Sequence, residues 1–156
     1  MEDSDRGNLP AIESLLNACR GKRVWGAVLS VAWLSLEFGE SWFDTEDKIE
    51  RGEYGLFVGC SWEVMQDGKV QLSSSDSRTE EYCKKVTAHL EGLRIASHEF
   101  SSHDHMLRLQ FDRQLELIVQ PQSGASSLDR WSIFFRDPSA QFHWVTLNGR
   151  EVTYDR

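Results

Sequence analysis

The sequence predicts an α+β fold in which two similar units, each one helix plus four to five antiparallel strands, pack as one β-rich domain with pseudo-two-fold symmetry. Three observations predict it: two helical stripes that each end at a glycine, short strands joined by hairpin signals, and four pairs of matching sequence blocks. With 156 residues, 40% of them hydrophobic, the chain can build a core of ordinary size. We expect a single domain over residues 1–156, with repeats at 11–76 and 79–156.

Both predicted helices carry an apolar stripe and end at a glycine. In LPAIESLLNACRG the apolar residues recur at helical spacing, Pro10 suits the first turn and Gly21 follows the last. In SRTEEYCKKVTAHLEG the same spacing recurs and Gly92 closes the helix, with Thr79 or Ser77 at its start. The two stripes are Ile12, Leu15, Leu16 and Cys19, and Tyr82, Cys83, Val86 and Leu90.

Strand and turn signals follow each helix. We interpret FGESW and FDRQL as the turns of equivalent hairpins, and Tyr54–Met65 as one strand that kinks near Gly59. Asp67-Gly68 and Asn148-Gly149 are type I′ hairpin signals at matching places in their units. Successive hairpins without a crossover helix predict antiparallel strands. We expect one continuous sheet or two facing sheets, with both helices covering one face.

The duplication depends on four pairs of blocks that occur in the same order. The offset between partners rises steadily along the chain, as short insertions in the second unit would produce. The pairs are GKRV at Gly21 with GLRI at Gly92, LEFG at Leu36 with LQFD at Leu109, YGLFV at Tyr54 with WSIFF at Trp131, and WEVMQDGKV at Trp62 with WVTLNGREV at Trp144.

Apolar residues on the inward faces of these elements form the predicted core. The residues expected to be buried are Leu15, Leu16, Leu36, Phe38, Leu56, Trp62, Val86, Leu90, Leu107, Leu109, Phe111, Ile133 and Trp144.

Charge and motifs exclude several classes of function. The net charge of −8 argues against nucleic acid as a partner, because phosphate binding needs clustered Lys and Arg. No apolar run is long enough for a membrane span, so no membrane partner is expected. Three cysteines without a CxxC spacing and an N-terminus without a signal peptide favour the cytoplasm. No nucleophile, phosphate-loop or dinucleotide motif is present, so we expect a non-enzyme without a cofactor. Cys60 is read as a buried side chain rather than a reactive thiol.

An acidic segment stands out between Glu37 and Glu53. It carries seven acids against Lys48 and Arg51, whereas the equivalent stretch of the second unit is close to balanced. A solvated hairpin explains such crowding, and so does a surface for a basic partner. In the second interpretation Trp42 and Phe43 anchor the partner. The candidate partner-binding residues are Glu37, Glu40, Trp42, Phe43, Asp44, Glu46, Asp47, Glu50 and Glu53.

A second cluster, SHEFSSHDHM at residues 97–106, concentrates three histidines near an aspartate. The block alignment places it in the turn between the first two strands of the second unit, opposite VLSVAW in the first. His98, His103, Asp104 and His105 are candidate ligands for zinc or another divalent ion. A solvated turn that binds adventitious metal or none is the favoured interpretation, because a hairpin tip rarely offers an open pocket for a catalytic metal and the spacing lacks the tight pairs of structural zinc sites.

The pattern GxRV or GxRI, a hairpin ending in LxF, an aromatic-led strand and a strand beginning with Trp resembles small bacterial proteins encoded around polymorphic toxin systems, many of the immunity type. The positions that carry the resemblance include Gly21, Leu36, Phe38 and Trp62. The resemblance implies an acidic, compact cytoplasmic protein that neutralises a toxin by covering its active site. Together with the acidic segment, it leads us to expect a non-catalytic binding module whose partner is a basic toxin protein. The alternative is a small-ligand or metal-binding β-rich domain with a Trp-lined space between the sheets.

Overall fold

The computed structural model describes residues 11–30, 33–76, 79–122, 129–136, 142–148 and 152–155. A one-turn 3-10 helix lies at Asp112–Gln114. The remaining elements, in chain order, are α1 (Ala11–Ala18), β1 (Val24–Leu29), β2 (Leu34–Asp44), β3 (Ile49–Val58), β4 (Ser61–Gln66), β5 (Lys69–Ser73), α2 (Glu80–Leu90), β6 (Ile95–Phe100), β7 (Leu107–Phe111), β8 (Leu115–Gln120), β9 (Arg130–Arg136), β10 (Phe142–Asn148) and β11 (Val152–Asp155).

The helix boundaries follow from local sequence chemistry. The Thr79 side chain accepts a hydrogen bond from the Tyr82 N–H at 3.1 Å and so caps the start of α2. Gly21 and Gly92 follow the two helices with φ of +80° and +88°, a conformation that glycine adopts without steric cost. Both predicted helices are confirmed. Pro10 and Ser77, which the sequence placed at helix starts, lie outside the described residues.

The strands form two antiparallel sheets, so the fold is of the α+β class. The six-stranded sheet has the order β1-β2-β3-β9-β10-β11, and the five-stranded sheet has the order β5-β4-β8-β7-β6. We had expected both helices to cover one face. Instead, α2 packs on β1 of the six-stranded sheet and α1 packs on β6 of the five-stranded sheet. At β1, the Thr87 hydroxyl donates to the Ala27 carbonyl at 2.9 Å and the Glu91 carboxylate accepts from the Ala27 N–H at 3.3 Å. Thr87 of α2 and Glu91, the residue after its end, thus hydrogen-bond to the exposed backbone of an edge strand.

Each half of the chain places its first three strands in one sheet and its later strands in the other. Strands β1–β3 enter the six-stranded sheet and β4–β5 the five-stranded one, while β6–β8 enter the five-stranded sheet and β9–β11 the six-stranded one, so the second half has one strand more. The contacts between halves are therefore β3 with β9 and β8 with β4. In this scheme two of the four block pairs are wrong. YGLFV lies on a third strand and WSIFF on a fourth, while WEVMQDGKV starts on a fourth strand and WVTLNGREV on a fifth.

A reciprocal set of backbone hydrogen bonds joins the starts of β1 and β6. The Gly21 N–H donates to the Ile95 carbonyl at 2.7 Å, and the Gly92 N–H donates to the Val24 carbonyl at 2.7 Å. In the same manner the Val24 N–H donates to the Leu93 carbonyl at 2.8 Å, and the Ile95 N–H donates to the Lys22 carbonyl at 3.1 Å. The first block pair, GKRV with GLRI, thus lies at the two ends of this reciprocal set of hydrogen bonds.

Some of the predicted turns are confirmed and others are wrong. FGESW is not a turn, because β2 continues through a bulge between Phe38 and Ser41, whereas FDRQL is the β7–β8 turn. The segment Tyr54–Met65 is two strands that separate at residues 59–60 and enter different sheets. Asp67 and Gly68 both have positive φ, as a type I′ turn requires. The second predicted turn reaches Gly149, which lies outside the described residues.

The inward faces of both sheets and of the two helices form one hydrophobic cluster. The predicted core residues are buried in it, except Leu15 and Trp144, which are half-buried. Trp144 lies on the outer face of its sheet, since its neighbours Val145 and Leu147 are the residues of β10 that face the core.

Candidate functional site

The acidic segment is a two-stranded ribbon that extends beyond its sheet. Strand β1 pairs with β2 only as far as Phe38, and β9 pairs with β3 only from Tyr54 onward. Between these points β2 and β3 pair with each other alone, through the turn at residues 45–48. We call residues 37–53 the acidic hairpin. The corresponding β7–β8 hairpin of the second half closes directly after Phe111 and has no such extension.

One buried arginine organises the tip of the acidic hairpin. The Arg51 side chain donates hydrogen bonds to Asp44, at 2.8 Å, and to Asp47. Asp44 also accepts from the backbone N–H groups of Glu46 and Asp47 at 3.0 and 3.3 Å. The hydrogen bond from Arg51 lowers the pKa of Asp44. Two of the predicted partner-binding acids therefore hold the turn in shape.

The base of the acidic hairpin rests on the outer face of the six-stranded sheet. The Trp42 indole N–H donates to the Gly52 carbonyl at 3.0 Å, and the Arg136 guanidinium lies 4.4 Å from the centre of the Trp42 ring. The Glu37 carboxylate accepts from the Gly52 N–H at 2.7 Å. Burial raises the pKa of Glu37 to about 7, so this acid is only partly ionised at neutral pH.

Glu53 also has structural partners. Its carboxylate lies 2.8 Å from the Lys22 ammonium and accepts from the Glu40 N–H at 3.2 Å. Gly39, which has φ of +83°, lies directly against this carboxylate, and a Cβ at position 39 would come within 2.4 Å of the Glu53 side chain. Glu53 therefore supports the bulge of β2 and ties the acidic hairpin to the loop after α1.

The remaining residues of the acidic hairpin are available to a partner. Among the described residues, the exposed carboxylates of Glu40, Glu46 and Glu50 take part in no hydrogen bond or ion pair. Two apolar side chains beside them are exposed, Phe43 to 58% and Ile49 to 45%. The sequence interpretation identified Phe43 but missed Ile49 and the organising role of Arg51. The alternation of Ile49 with charged residues on a strand was the available signal.

The histidines of residues 97–106 lie in three different environments. His103 and His105 lie in the turn between β6 and β7, where the sequence placed the cluster, and His98 lies on β6. His98 Nε2 lies 2.9 Å from the Glu13 carboxylate on α1, and His103 is exposed. His105 is buried, its ring stacks on Phe100, and its carbonyl accepts from the Trp131 indole N–H at 2.8 Å.

The expectation of a wholly solvated turn is therefore wrong at His105, which contributes to packing between the sheets. Asp104 is occupied locally, because it accepts hydrogen bonds from Ser101 and from the Met106 N–H, and these lower its pKa. Within the described parts of the chain, no three side chains of His, Cys, Asp or Glu converge as metal ligands. The four candidate ligands do not form a cluster in this arrangement.

Two of the cysteines are buried thiols. Burial raises the pKa of Cys60 to about 12 and also raises that of Cys19. A thiol with such a pKa is protonated at neutral pH and is a poor nucleophile. This agrees with the interpretation of Cys60 as a buried side chain.

The fold and the acidic hairpin define an α+β protein with two antiparallel sheets that share one core. No family model, curated protein or solved structure matches the chain. In the parts of the chain that the structure describes, neither helix is long and apolar enough to cross a bilayer.

Proposed function

We propose that this chain is a non-catalytic protein-binding module of the immunity type, which neutralises a basic toxin by binding it through the acidic hairpin. The observation that carries the proposal is a ribbon outside the sheet that exposes an apolar pair, Phe43 and Ile49, on its two opposite faces, with three uncommitted carboxylates along it. A two-stranded ribbon is marginally stable in water, and exposed apolar side chains add nothing to its folding. A partner that covers these apolar side chains gains binding free energy from their burial.

Charge supports the choice of partner. Glu40, Glu46 and Glu50 lie on the same hairpin as the exposed apolar pair, with Glu50 directly across from Phe43, and the whole chain carries a net charge of −8. Such a surface steers a basic protein toward it and speeds association, with an effect that salt weakens. The apolar pair supplies most of the binding energy, because buried aromatic and aliphatic anchors dominate interfaces. The protein encoded by the adjacent reading frame is the first partner to test.

The test compares two sets of charge reversals. Glu40→Lys, Glu46→Lys and Glu50→Lys together change the ribbon and leave the acids that hold Arg51 intact. We expect the association rate to fall about tenfold or more at low salt and to lose most of its salt dependence. The matched control carries the same number of reversals on exposed acids elsewhere, at Glu63, Glu81 and Glu99.

Equal slowing in the two sets would mean that only net charge matters and would remove the acidic hairpin as the site. A second pair of variants, Phe43→Ser and Ile49→Ser, tests the anchors through the dissociation rate, which should rise. Circular dichroism and thermal unfolding of each variant establish that the fold is retained. Protection of cells that make the toxin, measured with the same variants, tests neutralisation separately from binding.

We also propose that residues 11–76 and 79–156 are copies of one unit related by a pseudo-two-fold axis. The shared division of strands between the sheets supports this, and so do the reciprocal hydrogen bonds of Gly21 and Gly92. The β-bulges after Val24 and after Ile95 stand at the same place in each half. Superposing β1–β5 with α1 on β6–β10 with α2 tests the symmetry. A fit that holds for the first three strands but fails for the last two would contradict it.

A further inference from the structure

The outer faces of the two sheets differ in chemistry although their strands occupy corresponding places. One row of paired residues crosses the six-stranded sheet, and the corresponding row of the five-stranded sheet contains three charged residues. The first row is Val28, Ser35, Phe57, Ser132 and Thr146, and the second is Glu99, Arg108, Ile118, Glu63 and Ser73. The neighbouring rows are Gly26, Glu37, Gly55, Phe134 and Trp144, and Ser97, Gln110, Glu116, Met65 and Val70. Large aromatic side chains occupy only the six-stranded face of this pair.

The aromatic side chains of the six-stranded face pack into one group. Phe57 lies 5.1 Å from Trp144 and 5.6 Å from Phe134, measured between ring centres, and Trp33 meets Phe57 edge-on at 6.4 Å. Phe134 is fully buried because its ring lies flat on Gly55, where there is no side chain. The other rings stand on this base, and Trp33 is 42% exposed.

A cleft of about 340 Å³ opens between these rings. It forms because Ser132 and Thr146 are small where the residues around them are large. Their hydroxyl groups lie 2.8 Å apart and hydrogen-bond to each other. The walls are Trp33, Phe57 and Trp144, and Arg130 lies at the edge. An aromatic cleft with few polar groups is typical of small-molecule sites, and this one is at the small end of their size range.

Arg130 gives the cleft its charge preference. The residue is exposed, and in the described part of the chain its side chain takes part in no ion pair. A guanidinium binds a carboxylate through two parallel hydrogen bonds. A single arginine on a chain of net charge −8 favours a singly charged anion over a phosphate or a nucleotide. A cationic ligand would meet repulsion from the guanidinium.

The other polar groups and the aromatic walls of the cleft restrict the chemical class of the ligand further. A sugar needs many hydrogen-bond partners, and Ser132, Thr146 and Arg130 are the only polar side chains that line the described part of the cleft. Tilted aromatic walls suit a flat ring packed against them edge to face or offset. We propose that this cleft binds a small aromatic carboxylate, with its ring between Trp33, Phe57 and Trp144 and its carboxylate on Arg130. The cleft shares no lining residue with the acidic hairpin.

The test uses 2-naphthoate, its neutral analogue 2-naphthamide and the full chain. Calorimetry measures affinity. The indole N–H signals in the NMR spectrum of labelled protein locate the site, and the variants Trp33→Phe and Trp144→Phe assign those signals. We expect 2-naphthoate to shift those two signals first. Arg130→Gln should weaken 2-naphthoate by about tenfold or more and leave 2-naphthamide unchanged, because it removes a charge-assisted contact. The matched control is Arg113→Gln, which removes one positive charge at the β7–β8 turn, beside a different cavity.

The hairpin reversals Glu40→Lys, Glu46→Lys and Glu50→Lys should leave 2-naphthoate binding unchanged. This arm separates failure of the cleft from failure of the proposed protein-binding function. The proposal is overturned if 2-naphthoate does not bind at millimolar concentration, if Arg130→Gln and Arg113→Gln weaken it equally, or if other indole signals shift first. It is also overturned if the chain self-associates in sedimentation and Trp144→Leu abolishes that association, since a second copy would then occupy the cleft.

Discussion

The aromatic group on the outer face of the six-stranded sheet depends on the absence of a side chain at position 55. A Cβ added to Gly55 would lie 1.6 Å from Cζ of Phe134 and 1.8 Å from Cε1, which is far inside van der Waals contact. The substitution Gly55→Ala therefore forces the Phe134 ring off the sheet. Gly26 lies in the same row, and a Cβ there would meet Glu37 Cβ at an ordinary 3.5 Å. Gly26→Ala is thus the matched control.

The cost of Gly55→Ala follows from what Phe134 loses. Overpacking a well-packed site costs about 1–3 kcal/mol, and each aromatic contact, to Phe57 and to Trp144, contributes about 0.5–1.5 kcal/mol. Replacing a glycine in a strand recovers about 0.5–1 kcal/mol. These terms combine to a net loss of about 1–5.5 kcal/mol in the free energy of unfolding, and we expect a value of about 3 kcal/mol. Gly26→Ala should change the same quantity by less than about 1 kcal/mol.

Urea unfolding measured by circular dichroism gives these values, and a double-mutant cycle identifies the cause. In a Phe134→Ala background the ring is absent, so Gly55→Ala should cost little or should stabilise. The reasoning is refuted if Gly55→Ala costs the same with and without the ring. It is refuted equally if Gly55→Ala and Gly26→Ala are indistinguishable.

Two further predictions concern the core and pH. Leu36→Ala and Leu109→Ala remove side chains that are buried at corresponding places in the two sheets, and each should cost about 2–5 kcal/mol in urea unfolding; less than about 1 kcal/mol at both would contradict the core assignment. Burial raises the pKa of Glu37 from 4.5 to about 7. Between these two pH values the folded protein keeps a proton that the unfolded chain has released. The contribution of Glu37 to the free energy of unfolding therefore falls as pH rises through that window. Glu37→Gln should match the parent near pH 5 and be more stable by roughly 1–3 kcal/mol near pH 8, and a pH-independent difference would show that the carboxylate is not responsible.

The sequence predicted the helices and most strands because their signals are local. Thr79 caps α2 through a contact three residues away, and Gly21 and Gly92 take the positive φ that their positions after helices require. Alternation of apolar residues placed Leu107, Leu109 and Phe111 on the inward face of β7. These features need only a few neighbouring residues and can therefore be read without the fold.

The alignment of blocks failed where it depended on strand composition alone. WSIFF resembles YGLFV because both are aromatic-rich buried strands, yet they lie on β9 and β3, which pair with each other. Adjacent strands in one sheet meet similar neighbours, so they acquire similar residues whether or not they are equivalent in the chain. The extension of β2 through Gly39 could not be told from a turn, since glycine suits a bulge as well as a turn.

The acidic hairpin shows the same division at the candidate site. Counting acids from Glu37 to Glu53 located the segment, but Arg51 and Lys22 determine which of those acids are free. Arg51 lies within the segment and was counted only as a charge. Lys22 is distant in sequence, and only folding brings it to Glu53.

The sequence by itself determined the helices, the period of the strands, most of the inward-facing residues and the location of the excess charge, since each depends on local spacing or on composition. The tertiary structure alone decided how β3 meets β9, which acids remain uncommitted, and that Trp33, Phe57 and Trp144 surround a cleft with Arg130 at its edge. Residues that form this cleft come from β3, β9, β10 and the loop before β2. Pairing between strands far apart in the chain brings them together, and no local pattern records that pairing.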